Sequence, residues 1–222
     1  MKLNTSFPGY ITAIGLAMVW SIVTVLPLRA DTPAIGSYTF SISTSANGPT
    51  MIGWKFTVEN PITVTALGIC TDVPFVAGPT SAQVGLWRGS GTKLASCTVL
   101  PGDVVDGSFT YHTITSVILQ PGQSYTVACL LPTGAGWISQ VDDPGFAPGI
   151  DFVARRFDFS PSSTLFMPTV DYNSVPLGNT VGGFGASFTF VPVPEPSLFA
   201  LTAWAAAALT ISRWRRPGRP TT

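Results

Sequence analysis

Between residues 31 and 190, apolar and polar positions alternate with a period of two rather than 3.6. Ile52, Trp54, Phe56 and Val58 alternate with Gly53, Lys55 and Thr57, the pattern of a strand with one buried face. Glu59-Asn60-Pro61 turns the chain, and Ile62–Cys70 supplies a second strand rich in β-branched residues. Residues 84–87 and Lys93–Val99 flank Arg88-Gly89-Ser90-Gly91 as the arms of a hairpin. Pro101-Gly102-Asp103 marks a further turn. Residues 109–113, 116–119, 125–131 and 152–159 read as more strands, with a turn at Gln120-Pro121-Gly122-Gln123. Phe184, Ala186, Phe188 and Phe190 alternate again and close the domain. No window of ten or more residues in this stretch carries a helical apolar stripe. The pattern predicts an all-β fold, a single β-sandwich of jelly-roll type.

The two ends follow other rules. In residues 1–30, Lys2 precedes an apolar run from Ile11 to Leu28, and Leu28-Arg29-Ala30 ends it on a small residue. These are the parts of a secretory signal peptide cut after Ala30 by signal peptidase; the competing reading is an uncleaved anchor helix. In residues 191–222, prolines at 192, 194 and 196 hold the chain extended and accessible. Ser197 is placed to cap a helix, and residues 198–211 are apolar and uncharged. Such a helix is roughly 21 Å long at ~1.5 Å per residue, short of the ~30 Å hydrocarbon core. Ser197, Ser212 and Trp214 at interface depth, and snorkelling arginines, close part of the gap. Arg213, Arg215 and Arg216 act as a membrane stop that keeps the end cytoplasmic and residues 31–190 outside. The organisation expected is therefore signal peptide 1–30, β-sandwich ectodomain 31–190 and tail 191–222 with a transmembrane helix.

Composition sharpens this picture. Charged residues are 10% of the chain, well below the ~25% of ordinary globular proteins. The 22 glycines and 20 prolines are spread along the chain as turn punctuation. Residues 31–190 carry five cations (Lys55, Arg88, Lys93, Arg155, Arg156) against ten acidic residues. A mildly acidic domain is a poor polyanion binder, which argues against nucleic acid as a partner.

The tail resembles the PEP-CTERM sorting signal: Pro194-Glu195-Pro196, a short apolar helix, then an arginine-rich end, in that order. The resemblance covers about the last 30 residues. It implies that an exosortase-type processing enzyme recognises Pro194, Glu195 and Pro196 and removes the tail, so the motif is a substrate site and not a site of chemistry by this chain. It also implies an exported protein, transiently held at the inner membrane, that ends at the cell surface or outside, associated with extracellular polysaccharide. Within the ectodomain, Gly53-Trp54-Lys55-Phe56, Val64-Thr65-Ala66-Leu67-Gly68, Val84-Gly85-Leu86-Trp87, Leu94-Ala95 and Leu119-Gln120-Pro121-Gly122-Gln123-Ser124-Tyr125 resemble a bacterial β-sandwich domain family of unknown function. That resemblance covers roughly residues 36–190 and implies no catalytic residues.

Candidate chemistry is sparse. Strand parity points Cys97 and Cys129 inward, making a Cys97–Cys129 disulfide the first expectation and leaving Cys70 over; the alternative is three buried small apolar residues. No CxxC or paired histidine suggests zinc, and nothing calls for a cofactor. The lone His112 has no Gly-x-Ser-x-Gly elbow to serve and reads as a solvent-facing strand residue. A glycosidase would need a carboxylate pair, for which Glu59, Asp142 and Asp143 are the candidates. Asp142, Asp143 and Asp151 form a weak oxygen set for calcium, lacking the alternating acidic pattern. Trp54 and Trp87 read as core, whereas Trp137, inside Gly134-Ala135-Gly136-Trp137, reads as an exposed loop ring for glycan contact. The function expected is non-enzymatic, with a secreted carbohydrate-active hydrolase as the alternative.

Overall fold

A computed structural model describes residues 31–73, 79–159, 164–171, 180–181 and 184–194. The chain divides into two compact units, Met1–Ala30 and Asp31–Thr222, and every described residue belongs to the second. The described residues are all-β. The strands are β1 (Thr32–Pro33), β2 (Ile35–Ser45), β3 (Thr50–Val58), β4 (Ile62–Cys70), β5 (Ala82–Arg88), β6 (Lys93–Val99) and β7 (Val104–Asp106). They continue with β8 (Phe109–Leu119), β9 (Ser124–Leu131), β10 (Gly136–Phe146), β11 (Ile150–Phe159), β12 (Val170–Asp171), β13 (Thr180–Val181) and β14 (Ala186–Pro192).

Three antiparallel sheets result, in the orders β1-β14-β4-β8-β7, β13-β10-β2 and β12-β11-β3-β9-β5-β6. The alternation of β3 places Ile52, Trp54 and Phe56 on one face, in register with Cys129, Val127 and Tyr125 of β9. That face meets the other two sheets through aromatic side chains. Trp54 stacks on Phe188 of β14 at 5.8 Å between centroids and touches Phe146 of β10 at 5.3 Å. Phe56 stacks on Phe188 at 4.9 Å. Trp54, Phe56, Leu67, Val84, Val127 and Phe188 are fully buried in this one cluster. Each such side chain contributes about 1.5–3 kcal/mol on leaving water. The indole N–H of Trp54 donates to the Ala186 carbonyl at 2.8 Å, so the ring is buried with its polar atom satisfied.

Trp87 departs from the expectation of core packing in one respect. It sits one residue past Leu86, so it faces away from Trp54. It joins a second, smaller cluster with Met51, Ala128 and Leu130, against which Leu165, Phe166 and Met167 pack.

Tyr125 fixes the β8–β9 turn. Its hydroxyl accepts the Gln120 N–H at 2.8 Å and donates to the Gln120 carbonyl at 3.1 Å. Tyr125→Phe strands both backbone groups in a partly buried turn. The expected loss is about 1–3 kcal/mol, read as a lower urea midpoint with an unchanged slope; an unchanged midpoint refutes the role.

Candidate functional site

β14 lies between β1 and β4 and pairs Val191 with Thr63 and Pro192 with Ile62. The Val193 N–H then donates to the Pro61 carbonyl at 3.0 Å. Val191, Pro192 and Val193 are half-buried, and Pro194 is exposed. The folded body therefore runs past residue 190, and the extended strip expected to be accessible from residue 191 opens only at Pro194. Proline at 192 is tolerated because it stands at the end of its strand. Glu195, Pro196, the apolar run and Arg213, Arg215 and Arg216 lie outside the described residues, as does the expected signal peptide. Among the described residues no helix is long and apolar enough to cross a membrane.

The expected Cys97–Cys129 disulfide is not formed. Val84 of β5 pairs with Cys97 of β6 on one side and with Cys129 of β9 on the other. Two strand spacings separate the cysteines, about 9–10 Å, beyond the ~4.4–6.8 Å that a disulfide spans between Cα atoms. Parity placed both side chains on one face; the strand order puts a valine between them. Burial pushes the Cys129 thiol well up. Cys97 is raised to about 11, by burial first and then by the charge of Asp103.

Cys97 lines a shallow cleft of about 590 Å³ between β6 and β8, shared with Leu94, Thr98, His112, Ile114 and Val117. At its margin Nδ1 of His112 meets Asp103 at 3.1 Å. The Leu100 N–H donates to Asp103 Oδ2 at 2.7 Å. That backbone donor, followed by His112, holds the Asp103 carboxyl below its ordinary range. A Cys, a His and an Asp thus gather where the sequence showed a strand residue and a turn. The electrostatics run against nucleophilic use, because the neighbouring carboxylate and burial both keep Cys97 protonated, and the thiolate is the reactive form. His112 is not simply solvent-facing: 39% of its side chain is exposed, and its Nδ1 is held by Asp103.

Trp137 is not on a loop. It lies in β10, paired with Thr44 of β2, half-buried, with its ring 5.9 Å from that of Phe157. Phe157 in turn meets Phe159 edge-on at 4.6 Å, and Phe159 is 68% exposed. Asp142 and Asp143, expected in a turn, also fall within β10. Its register against β2 is broken by four shifts, so these turn-forming residues are accommodated as irregularities in a strand. Glu59 is exposed just past β3, and Asp151 accepts a long bond from Thr57 at 3.5 Å. The cleft between β6 and β8, a second at the outer margin of β6 and a third beside Leu131 are lined by no carboxylate. Among the described residues no group of three or more His, Cys, Asp or Glu could hold a metal ion. No protein-family model matches the chain, and no curated protein matches it either.

Proposed function

We propose that this chain is an exported, non-enzymatic surface or matrix protein, sorted through Pro194-Glu195-Pro196 and associated with extracellular polysaccharide. A signal peptide at 1–30 delivers it across the inner membrane. The tail helix and Arg213, Arg215 and Arg216 hold the precursor there until an exosortase-type enzyme acts. The observation that carries this reading is the end of the folded body. Val193 is the last described residue with a backbone bond to the sheet, and Pro194, the first residue of the motif and the last of the described residues, is exposed. A processing enzyme needs an extended substrate outside the hydrogen-bonded sheet, and the motif starts two residues past the end of β14.

The domain in this reading is a β-sandwich of jelly-roll type. The order β1-β14-β4-β8 opposes β3-β9-β5-β6, and the chain changes layer from β3 to β4, from β4 to β5, from β6 to β8 and from β8 to β9. Two interleaved Greek keys produce such an order. β11 widens one layer and β10 with β2 extends the other.

Glu195→Ala, expressed in a host that processes such tails, leaves a membrane-bound precursor longer than the mature form. A mature band of unchanged size and amount on a gel defeats the sorting reading.

A further inference from the structure

The outward face of the six-stranded sheet carries an arrangement that the sorting role does not use. Register across five strands gives three rows. One runs Ala154, Lys55, Thr126, Trp87, Lys93; the next runs Arg156, Gly53, Ala128, Gly85, Ser96; the third runs Asp158, Met51, Leu130, Gln83, Thr98. The middle row is a trough of small side chains. Trp87 lies flat across it, since a Cβ on Gly85 would stand 2.7 Å from Cζ2 of the indole. Lys93 stands beside Trp87 on one side, and Lys55 stands two strands away on the other. Arg156 shares the face, so three of the five cations between residues 31 and 190 collect on it, against the two carboxylates of Asp158 and Asp171.

Residues 164–169 cross this face as a strap, and 170–171 continue it as β12, paired with β11 at the sheet edge. Leu165, Phe166 and Met167 pack on Met51, Trp87, Ala128 and Leu130, leaving Trp87 only 3% exposed. The far end is tied to Arg156. One guanidinium N–H donates to the Thr169 carbonyl at 2.6 Å, and Asp171 of β12 brings a carboxylate oxygen to 2.8 Å from Nε. That approach is not a hydrogen bond, and Nε is buried without one. The strap therefore presents an apolar surface to a tryptophan and a misaligned carboxylate to an arginine. A pyranose bearing a carboxylate offers the same two groups, an apolar ring face and an anion, and can align its oxygens on the guanidinium fork. An open cleft of about 410 Å³ remains at the strap's margin, where Gln83, Lys93, Ser96, Thr98 and Thr164 offer hydrogen-bonding groups beside Cys97 and Leu165.

We propose that this face binds an acidic, uronate-bearing polysaccharide, and that residues 164–169 are its built-in cover, displaced when the chain stacks on Trp87 and its carboxylates reach Lys55, Lys93 and Arg156. This rests on the polysaccharide association proposed above and names its site. The occupant is chosen by charge: cations flank the ring, so an anionic glycan fits where a neutral one leaves them unpaired.

The test is native affinity electrophoresis of the full chain in mild detergent, through gels containing polygalacturonate or dextran. The expected result is retardation by polygalacturonate and none by dextran. Lys55→Gln/Lys93→Gln, which alters side chains outside the core, weakens retardation at least tenfold, and Asp171→Asn, which removes the competing carboxylate, strengthens it severalfold. Trp87→Ala abolishes it, but this variant also loses packing, so the lysine pair carries the decision. Equal retardation by dextran, or polygalacturonate binding that survives the lysine substitutions, overturns the assignment of this face. An unchanged mobility of Asp171→Asn overturns the strap as a cover. Failure of wild type and Asp171→Asn to bind polygalacturonate overturns the inference while leaving sorting untouched, because Glu195→Ala reports on sorting separately.

Discussion

Trp54→Ala is expected to abolish a stable fold. The side chain is fully buried, and its ring lies within 4.9–6.4 Å of five other aromatic rings contributed by all three sheets. Truncating such a residue costs about 3–5 kcal/mol through lost transfer energy and the cavity left behind. The Ala186 carbonyl loses its donor as well, adding roughly 1 kcal/mol. Domains of this size have only ~5–15 kcal/mol in total, so the variant unfolds or sits at the edge of unfolding. The measurement is near-ultraviolet circular dichroism with urea titration. A midpoint near that of wild type shows that the aromatic cluster is not the centre of the core.

Gly53→Ala is the second large effect, and it arises from crowding rather than loss. A Cβ at Gly53 meets the Val127 carbonyl oxygen and comes within 2.6 Å of the Ala128 Cα. Both are backbone atoms of β9, so no side chain can swing aside; β3 and β9 must part. Overpacking of this kind costs about 1–3 kcal/mol, and more where the obstacle is main chain. Gly48→Ala is the control, because a Cβ there meets nothing within 4 Å. The pair is compared by thermal unfolding, with a lower midpoint expected for Gly53→Ala alone. Equal midpoints contradict the close approach of the strands.

How much of this was legible depended on the regularity of the local pattern. β4 and β6 were readable end to end, because their β-branched or alternating residues lie between clear turn signals. β8 read as two short strands, since Ile114 and Thr115 interrupt the pattern where the β4 pairing shifts register. β2 stays below the pattern although Tyr38, Phe40 and Ile42 alternate in it, because the serines and threonines between them dilute the signal. β10 was masked by Asp142-Asp143-Pro144-Gly145, which elsewhere makes a turn but here rides on register shifts. Trp137 was read as a loop residue from its glycine neighbours for the same reason. The inward parity of Cys97 and Cys129 followed from alternation, whereas their separation follows from strand order, a property no local window contains. The strap was invisible because nothing periodic marks residues 164–169. The pairing of His112 with Asp103 was hidden too, since it joins a strand to a turn nine residues away.

The position of β14 has a consequence for how the protein is made. β14, the last of the described strands to be synthesised, is inserted between β1 and β4 and supplies Phe188 to the stack around Trp54. A chain emerging N-terminus first holds β1 and β4 with a gap between them until residues near 190 arrive. Closing that gap joins segments more than a hundred residues apart, which is slow because the intervening chain must first be brought together. The domain is therefore kept from completing its sheet until nearly all of it has been synthesised. The export proposed above, which threads an unfolded polypeptide through a channel, fits that delay.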